Sequence, residues 1–318
     1  MIAYSGGKTG GHIMPLISLI LSSNEKSIYI GGTNKVEEMA CIENNILFLG
    51  IDIKKKGIIN FLKEYNDLCR RLKKYKIDKA ITTGGYVSSK LCLYAILHKI
   101  PLYLIEENCI MGNANILFYP FCKKLFTAFD TFKKNKSVCT GIPIRRIVKD
   151  NNIKEYDVLV IGGSLGSIIL CEIAVSLSKK YKVCLIAGRY YEKYKKYKEL
   201  EVINYTNDIY TYMNKAKSII SRAGASTSYE IMTMGIPWIC IPSLNTKKNH
   251  QVINAQYFKS NNACYICYED DMSLINEYVK KIIFNDSIRV NMISSQKKLI
   301  KNNSTEIILS YLEEKNEL

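Results

Sequence analysis

The chain has 318 residues, of which 47% are hydrophobic, and a formal net charge of +16. This length suits two domains, and so many apolar residues exclude an intrinsically disordered chain. No apolar run approaches the about 20 residues that a helix needs to span a bilayer, and the first four residues read as a strand that leaves no room for a signal peptide. The 11 cysteines are therefore expected to be reduced thiols of a cytoplasmic protein.

Strands alternate with helical stretches along the whole chain. Strands are predicted at residues 1–4, 27–30, 46–49, 79–82, 102–105 and 124–127, and again at 157–161, 182–186, 202–203, 218–220, 238–241 and 263–267. Repeated βα units imply parallel sheets covered by helices on both faces. We therefore expect an α/β protein with two doubly wound domains, residues 1–150 and 151–318, joined between Gly141 and Tyr156.

Two glycine-rich turns follow predicted strands in the first half of the chain. The first, Ser-Gly-Gly-Lys-Thr-Gly-Gly-His at residues 5–12, precedes a helix with Pro15 near its start. It is not a Walker loop, because its Lys-Thr pair is misplaced. The second, Thr-Gly-Gly-Tyr-Val-Ser at residues 83–88, also opens a helix. Polar residues 106–108 end another strand, and open α/β sheets bind ligands at such ends.

A basic stretch at residues 54–79 holds ten Lys and Arg against three Asp and Glu, and the first 150 residues carry a balance of +11 against +5 for the rest. Its interleaved apolar residues are Ile58, Ile59, Leu62, Leu68 and Leu72. A basic amphipathic stretch indicates binding to an anionic membrane surface, although a solvated helix face is the alternative. Nucleic acid binding matches the charge but lacks the motif of any reader fold.

The second half opens with another strand and glycine turn, Gly-Gly-Ser-Leu-Gly at residues 162–166. This turn formally fits the nucleophile elbow of a hydrolase, which also needs an Asp and a His downstream; His250 is the only histidine left. Cys264 and Cys267 have the spacing of a redox or zinc pair, but no second pair stands near them, so a plain strand is the better interpretation.

Residues 218–230 combine a buried strand, a turn at Gly224 and a helix start. Thr227 and Glu230 have capping-box spacing, which predicts that the helix begins there. First-turn amides and the helix dipole make such a terminus a phosphate site. Glu230 is either a helix cap only or a ligand-binding carboxylate.

The segments Arg-x-Gly-Ala-x-Thr-x-x-Glu at residues 222–230, Gly-x-Pro at 235–237 and His-Gln-x-x-Asn at 250–254 resemble the donor site of the MurG family of bacterial glycosyltransferases. The resemblance covers nearly the whole chain through six motifs in order. It implies a GT-B architecture, with two Rossmann-like domains facing across a cleft and the last helix, about 304–316, packing back on the first domain. The first domain would then hold the acceptor and the membrane, and the second the donor.

The resemblance also assigns site residues. It implies His12 or Glu106 as the catalytic base, with helix capping as the alternative for His12. Donor contacts are implied for Thr9, Gly10, Gly11, Asn108, Arg145, Ser164, Thr206, Ala225, Ser226, Thr227, Ser228, Tyr229, Glu230 and Gln251, and acceptor or pyrophosphate contacts for Gly84, Gly85, Tyr86 and Asn113. The chain departs from the family at Lys8, where a glycine is usual, and at Ile105 and Glu107, where histidine and glutamine are usual.

The implied reaction is transfer of N-acetylglucosamine from UDP-GlcNAc to the 4-hydroxyl of lipid I, with inversion, to make lipid II for peptidoglycan synthesis and hence for cell division. The expected partners are UDP-GlcNAc, lipid I and the cytoplasmic face of the cell membrane, where the protein would be peripheral. No cofactor, metal or nucleic acid is expected. The alternatives are another UDP-sugar transferase with a glycolipid acceptor, a UDP-sugar epimerase, and a non-catalytic UDP-sugar sensor.

Overall fold

A computed structural model of the protein describes residues 1–7, 10–33, 35–53, 57–145, 147, 154–163, 166–206 and 208–313. The chain divides into two compact units. The first unit comprises Met1–Arg145 with Lys301–Leu318, and the second unit comprises Arg146–Ile300. The division of roles between domains 1–150 and 151–318 stays a prediction.

The first unit is a seven-stranded sheet with helices. Its strands are β1 (Ile2–Gly6), β2 (Ser27–Gly32), β3 (Phe48–Ile51), β4 (Lys79–Gly84), β5 (Leu102–Glu106), β6 (Lys124–Thr127) and β7 (Ser137–Cys139), and its helices are α1 (Gly10–Ser22), α2 (Val36–Glu43), α3 (Ile58–Leu72), α4 (Tyr86–Leu97) and α5 (Asn113–Phe118). The strand order is β3-β2-β1-β4-β5-β6-β7, and each pairing is parallel. This order is doubly wound, as predicted.

Strand β1 shows why the first sheet is covered on both faces. Ala3 belongs to one hydrophobic cluster and Ile2 and Tyr4 to another, and all three are at most 1% exposed. Successive side chains of a strand point to opposite faces, so a strand buried on both faces reads as a continuous apolar run.

The second unit repeats this design with six strands. They are β8 (Tyr156–Ile161), β9 (Val183–Ile186), β10 (Leu200–Ile203), β11 (Ala216–Ser221), β12 (Trp238–Cys240) and β13 (Tyr265–Ile266), and the helices are α6 (Ile168–Ser178), α7 (Tyr191–Tyr194), α8 (Ile209–Asn214), α9 (Ala225–Met234), α10 (His250–Ser260), α11 (Ile275–Phe284) and α12 (Asp286–Leu299). The order β10-β9-β8-β11-β12-β13 is again parallel throughout. The predicted pair of doubly wound α/β sheets is confirmed.

The last helix, α13 (Ser304–Glu313), belongs to the first unit. Its Ile308 and Leu312 are buried in the same cluster as Ile13 and Leu16 of α1. Within the residues described here, no helix has the length and apolar character needed to cross a membrane.

Apart from shifts of up to two residues in the bounds of other strands, two strands differ from the sequence prediction. The strand predicted at 263–267 is only the two residues of β13, and β7 was not predicted. Both are short strands at a sheet edge, where an apolar pattern has too few residues to stand out. Pro15, expected near a helix start, lies inside α1, since the helix already begins at Gly10.

Candidate functional site

In each unit the first strand along the chain lies inside the sheet, with a later strand on either side. In the first unit β1 lies between β2 and β4, and in the second β8 lies between β9 and β11. The chain therefore leaves the carboxyl ends of β1 and β4 in opposite directions, as it does for β8 and β11. Ligands of doubly wound sheets bind in the crevice at such a switch point. All the glycine turns singled out from the sequence follow these strands.

Close backbone approach explains the paired glycines of the first unit. Gly84 and Gly85 have φ values of +84° and +110°, which residues other than glycine rarely adopt. A Cβ added to Gly6 would lie 2.2 Å from Oγ1 of Thr83. That hydroxyl donates to the carbonyl oxygen of His12 at 3.0 Å. The two turns are thus fastened together at the end of β1 and β4.

A cavity of about 190 Å³ lies beside the second turn. Its lining is formed by Gly7, Lys35, Val36, Glu37, Ile53, Gly84, Gly85, Tyr86, Val87 and Ser88. The first three residues of α4, Tyr86, Val87 and Ser88, belong to this wall, and a helix N-terminus attracts anions. Asn113, the other residue predicted to contact the acceptor, is exposed at the start of α5.

Tyr86 is held by a buried lysine. The ammonium of Lys90 lies 3.6 Å from the centroid of the Tyr86 ring and 2.9 Å from Oε2 of Glu64 on α3. Lys90 is fully buried. Burial lowers the pKa of Lys90, while the Glu64 carboxylate opposes that shift. This ion pair joins α3 to the helix that carries the glycine turn.

His12 lies in the first turn of α1 and faces a carboxylate. Its Nδ1 is 3.2 Å from Oε2 of Glu107. His12 is 34% exposed, and Glu107 is 3% exposed. The imidazole is therefore open to solvent while its acidic neighbour is buried.

Glu106, the other candidate base, is enclosed by its own loop. Its carboxylate accepts hydrogen bonds from Nδ2 and the backbone amide of Asn108, from the amide of Gly112 at 2.7 Å and from Nδ2 of Asn115 at 2.9 Å. Burial raises the pKa of the Glu106 carboxyl, and these hydrogen bonds oppose the shift. Both Glu106 and the side chain of Asn108 are thus engaged in shaping the loop after β5.

The remaining residues predicted to meet the donor from the first unit are exposed or lie at a helix start. Gly10 and Gly11 are the first two residues of α1. Arg145 is exposed, with Nη2 3.7 Å from the sulfur of Met14. Lys8, Thr9 and Ser164 lie outside the described residues.

In the second unit, α9 begins earlier than the capping box predicted. Its first residue is Ala225, and Gly224 occupies the N-cap position with an extended backbone. Thr227 and Glu230 are therefore inside the helix, and the predicted capping box is wrong. A Cβ added to Gly224 would have no neighbour within 4 Å. The space beside this N-cap residue is therefore open.

The other residues of this turn point inward. Ser228 and Tyr229 are at most 1% exposed. Their side chains are buried, so it is their backbone atoms that lie near the N-terminus of α9. The helix ends at Gly235, whose φ of +67° provides the left-handed C-cap.

The side chain of Glu230 is hydrogen-bonded to a residue of α8. Its Oε1 accepts a hydrogen bond from the hydroxyl of Tyr210 at 3.0 Å. Thr206, just before α8, accepts from the amide of Asp208 at 3.0 Å, and Asp208 in turn caps α8 by accepting from the amide of Thr211. Helix α8 thus fixes both the segment that carries Thr206 and the carboxylate of Glu230. The spacing of these residues in the sequence did not indicate this connection.

Arg222 and Asn254 position the turn before α9. Arg222 pairs with Glu269 at 2.5 Å and donates to Oγ of Ser167 at 2.8 Å. Asn254 is fully buried and donates to the carbonyl oxygen of Ala223 at 3.1 Å. These motif residues therefore stabilise the backbone of the turn. Gln251, predicted to contact the donor, is half-buried and accepts from the amide of Ser243 at 2.9 Å.

Comparison with known proteins covers both units. Residues 2–127 match the model of the glycosyltransferase family 28 N-terminal domain, and residues 157–307 match the family 28 C-terminal domain. The chain is 32% identical to the UDP-N-acetylglucosamine–N-acetylmuramyl-(pentapeptide) pyrophosphoryl-undecaprenol N-acetylglucosamine transferase of Sulfurihydrogenibium sp. (strain YO3AOP1), over 93% of this chain and 92% of the relative. It is 31% identical to the enzyme of the same name from Clostridium botulinum (strain Alaska E43 / Type E3), over 98% and 97%.

Solved structures share the fold. MurG of Acinetobacter baumannii superposes with a TM-score of 0.81 at 21% identity, over 99% of each chain. A putative UDP-N-acetylglucosamine 2-epimerase from Listeria monocytogenes superposes with a TM-score of 0.73 at 11% identity, over 100% of this chain and 98% of that one. Transferases and epimerases therefore share this architecture, and the fold alone does not select between them.

Proposed function

This chain belongs to glycosyltransferase family 28 and, within it, to the MurG family, and from this membership we propose that it transfers N-acetylglucosamine from UDP-GlcNAc to lipid I. The product is lipid II, the disaccharide-pentapeptide precursor of peptidoglycan. The observation that carries the proposal is the similarity to transferases of this name along nearly the whole length of both proteins. The location of both sets of candidate residues at switch points supports it.

The second unit is the proposed donor site. The N-terminus of α9 suits the diphosphate of UDP-GlcNAc, since a helix start directs its backbone amides and the positive end of the helix dipole toward a bound anion. The carboxylate of Glu230 suits the ribose hydroxyls, which are hydrogen-bond donors. Thr206 is proposed to meet the uracil, and Gln251 the hexose.

The first unit is the proposed acceptor site. The amides at the start of α4, behind Gly84 and Gly85, suit the pyrophosphate of lipid I for the same electrostatic reason. Tyr86 is the first residue of α4 and Asn113 the first residue of α5, and both are proposed to contact the acceptor. Arg145, which is exposed, is proposed to complement the diphosphate of the donor through its guanidinium fork.

The proposed chemistry is a single displacement with inversion. The 4-hydroxyl oxygen of the acceptor attacks the anomeric carbon, the bond from that carbon to the diphosphate oxygen breaks, and UDP leaves with the electron pair. His12 takes the hydroxyl proton. It suits this role better than Glu106, because the Glu106 carboxylate already accepts hydrogen bonds from Asn108, Gly112 and Asn115. Amides at the helix termini stabilise the charge that develops on the diphosphate.

We further propose that α3 docks the first unit on the anionic cytoplasmic face of the membrane. Ile58, Ile59 and Leu62 are 81%, 71% and 50% exposed, so they are available for shallow insertion. Leu68 and Leu72, which the sequence placed in the same apolar set, are fully buried in the core. The docking surface is therefore the first turns of α3. The preceding lysines, residues 54–56, lie outside the described residues.

One assay tests the proposed function directly. Radiolabelled UDP-GlcNAc is incubated with the protein and lipid I, and label is expected in the lipid fraction. A parallel reaction with diacylglycerol distinguishes a transferase that uses another glycolipid, and analysis of the sugar nucleotide distinguishes an epimerase. Label that enters diacylglycerol but not lipid I, or an altered sugar on UDP, contradicts the proposal.

A further inference from the structure

His12 and Glu107 form a close pair in the first unit. Nδ1 of His12 lies 3.2 Å from Oε2 of Glu107, which is the distance of an ion pair. The carboxylate is 3% exposed. Burying a charged carboxylate is costly unless it is paired, and the imidazole of His12 is the group that lies beside it.

The adjacent residue shows what a purely structural glutamate looks like here. Glu106 is equally buried, and its two oxygens accept hydrogen bonds from the loop after β5. In contrast, Oε1 of Glu107 is buried and has no hydrogen-bond partner among the described residues. An unsatisfied buried acceptor lowers stability. Glu107 therefore does little to fold the loop, and its contact with His12 is the interaction that remains to explain its position.

We propose that Glu107 is the positioning residue of His12 in sugar transfer, an inference that rests on the function proposed above. Its carboxylate accepts the Nδ1 proton of the imidazole. That contact fixes the ring and leaves the lone pair on Nε2. When the acceptor hydroxyl attacks, its proton moves to Nε2, and the buried carboxylate balances the resulting imidazolium. The proton therefore ends on Nε2 of His12, its charge is balanced by Glu107, and the electron pair of the broken bond leaves with UDP.

The kinetic test is a double-mutant comparison. Glu107→Gln keeps the side-chain volume and removes the charge. We expect kcat to fall about 10- to 100-fold with little change in the KM for UDP-GlcNAc, less than the about 10²–10⁴-fold that a base contributes. In the His12→Ala background the same substitution is expected to change kcat less than about twofold, because coupled residues are non-additive.

The spectroscopic test needs no substrate. The chain has three histidines, so protein labelled with ¹⁵N-histidine gives three imidazole spin systems, and His12→Ala identifies that of His12. Two-bond ¹H–¹⁵N correlations distinguish the two neutral tautomers. In the wild type we expect His12 as the Nδ1–H tautomer, and in Glu107→Leu a shift toward the Nε2–H form, with His98 and His250 unchanged as internal references.

Two results overturn the proposal. One is an unchanged His12 tautomer in Glu107→Leu, and the other is an equal loss of kcat from Glu107→Gln with and without His12. If the leucine variant does not fold, the kinetic comparison decides. If the wild type transfers no sugar to lipid I, the function proposed above has failed, whereas the tautomer measurement still reports whether Glu107 positions His12.

Discussion

Substitution of Glu230 by glutamine tests the donor site with little disturbance of the fold. The carboxylate does not cap α9, because that helix begins at Ala225, and its Oε1 accepts a hydrogen bond from the hydroxyl of Tyr210 at 3.0 Å. A glutamine carbonyl can accept this same hydrogen bond. What the variant loses is a charged acceptor for the ribose.

The size of the effect follows from that loss. A hydrogen bond to a charged group contributes about 1.5–3 kcal/mol. Since about 1.4 kcal/mol corresponds to a factor of ten, removing one such bond raises the KM for UDP-GlcNAc about 10- to 150-fold. The melting temperature is expected to change little, because glutamine keeps the volume of the half-buried side chain and can accept the hydrogen bond from Tyr210.

The assay measures initial rates at saturating lipid I over a range of UDP-GlcNAc concentrations, with thermal unfolding followed in parallel. Glu269→Gln is the matched control, because it removes a carboxylate that pairs with Arg222 rather than one proposed to meet the ribose. It is expected to lower stability more than it raises the donor KM. A folded Glu230→Gln variant with an unchanged donor KM would refute the ribose assignment.

Three further predictions concern the first unit. His12→Ala is expected to lower kcat about 10²–10⁴-fold with donor KM largely kept, because a base acts on the chemical step. Glu64→Gln leaves the buried ammonium of Lys90 without its charged partner, so chemical denaturation should show a loss of about 3–5 kcal/mol; the double variant with Lys90→Met should recover most of it, since a buried ion pair is often replaceable by apolar side chains. Serine at both Ile58 and Ile59 should weaken sedimentation with anionic vesicles while activity on a water-soluble acceptor analogue survives.

The kinetic and vesicle predictions each have a matched control in the same unit. His98→Ala removes a histidine that stacks on Tyr94 and should leave kcat near normal. Leu97→Ser changes an apolar residue of similar exposure, 62%, outside the proposed docking surface, and should leave vesicle binding intact. Near-normal kcat in His12→Ala, additive losses in the Glu64 and Lys90 pair, or unchanged vesicle binding would contradict the respective argument.

The sequence by itself determined the two parallel sheets and the places where ligands are expected. Buried strands of a covered sheet read as apolar runs, and the turns that follow them need glycine where φ is positive, as at Gly84 and Gly85. Both signals are local, so they can be read directly from one amino-acid sequence. The helix start at Ala225 was missed by only two residues, because the cap is set by the backbone of Gly224 and not by a side-chain motif.

Only the tertiary structure decided which side chains meet. His12 with Glu107, Glu230 with Tyr210, and Arg222 with Glu269 are joined by the order and alignment of strands, which place distant loops at one sheet edge. Likewise, α3 has apolar residues on more than one side, and its packing on α4 determines that Leu68 is buried while Ile58 is exposed. Local periodicity carries no information about such partners, since each contact depends on the position of a second element in space.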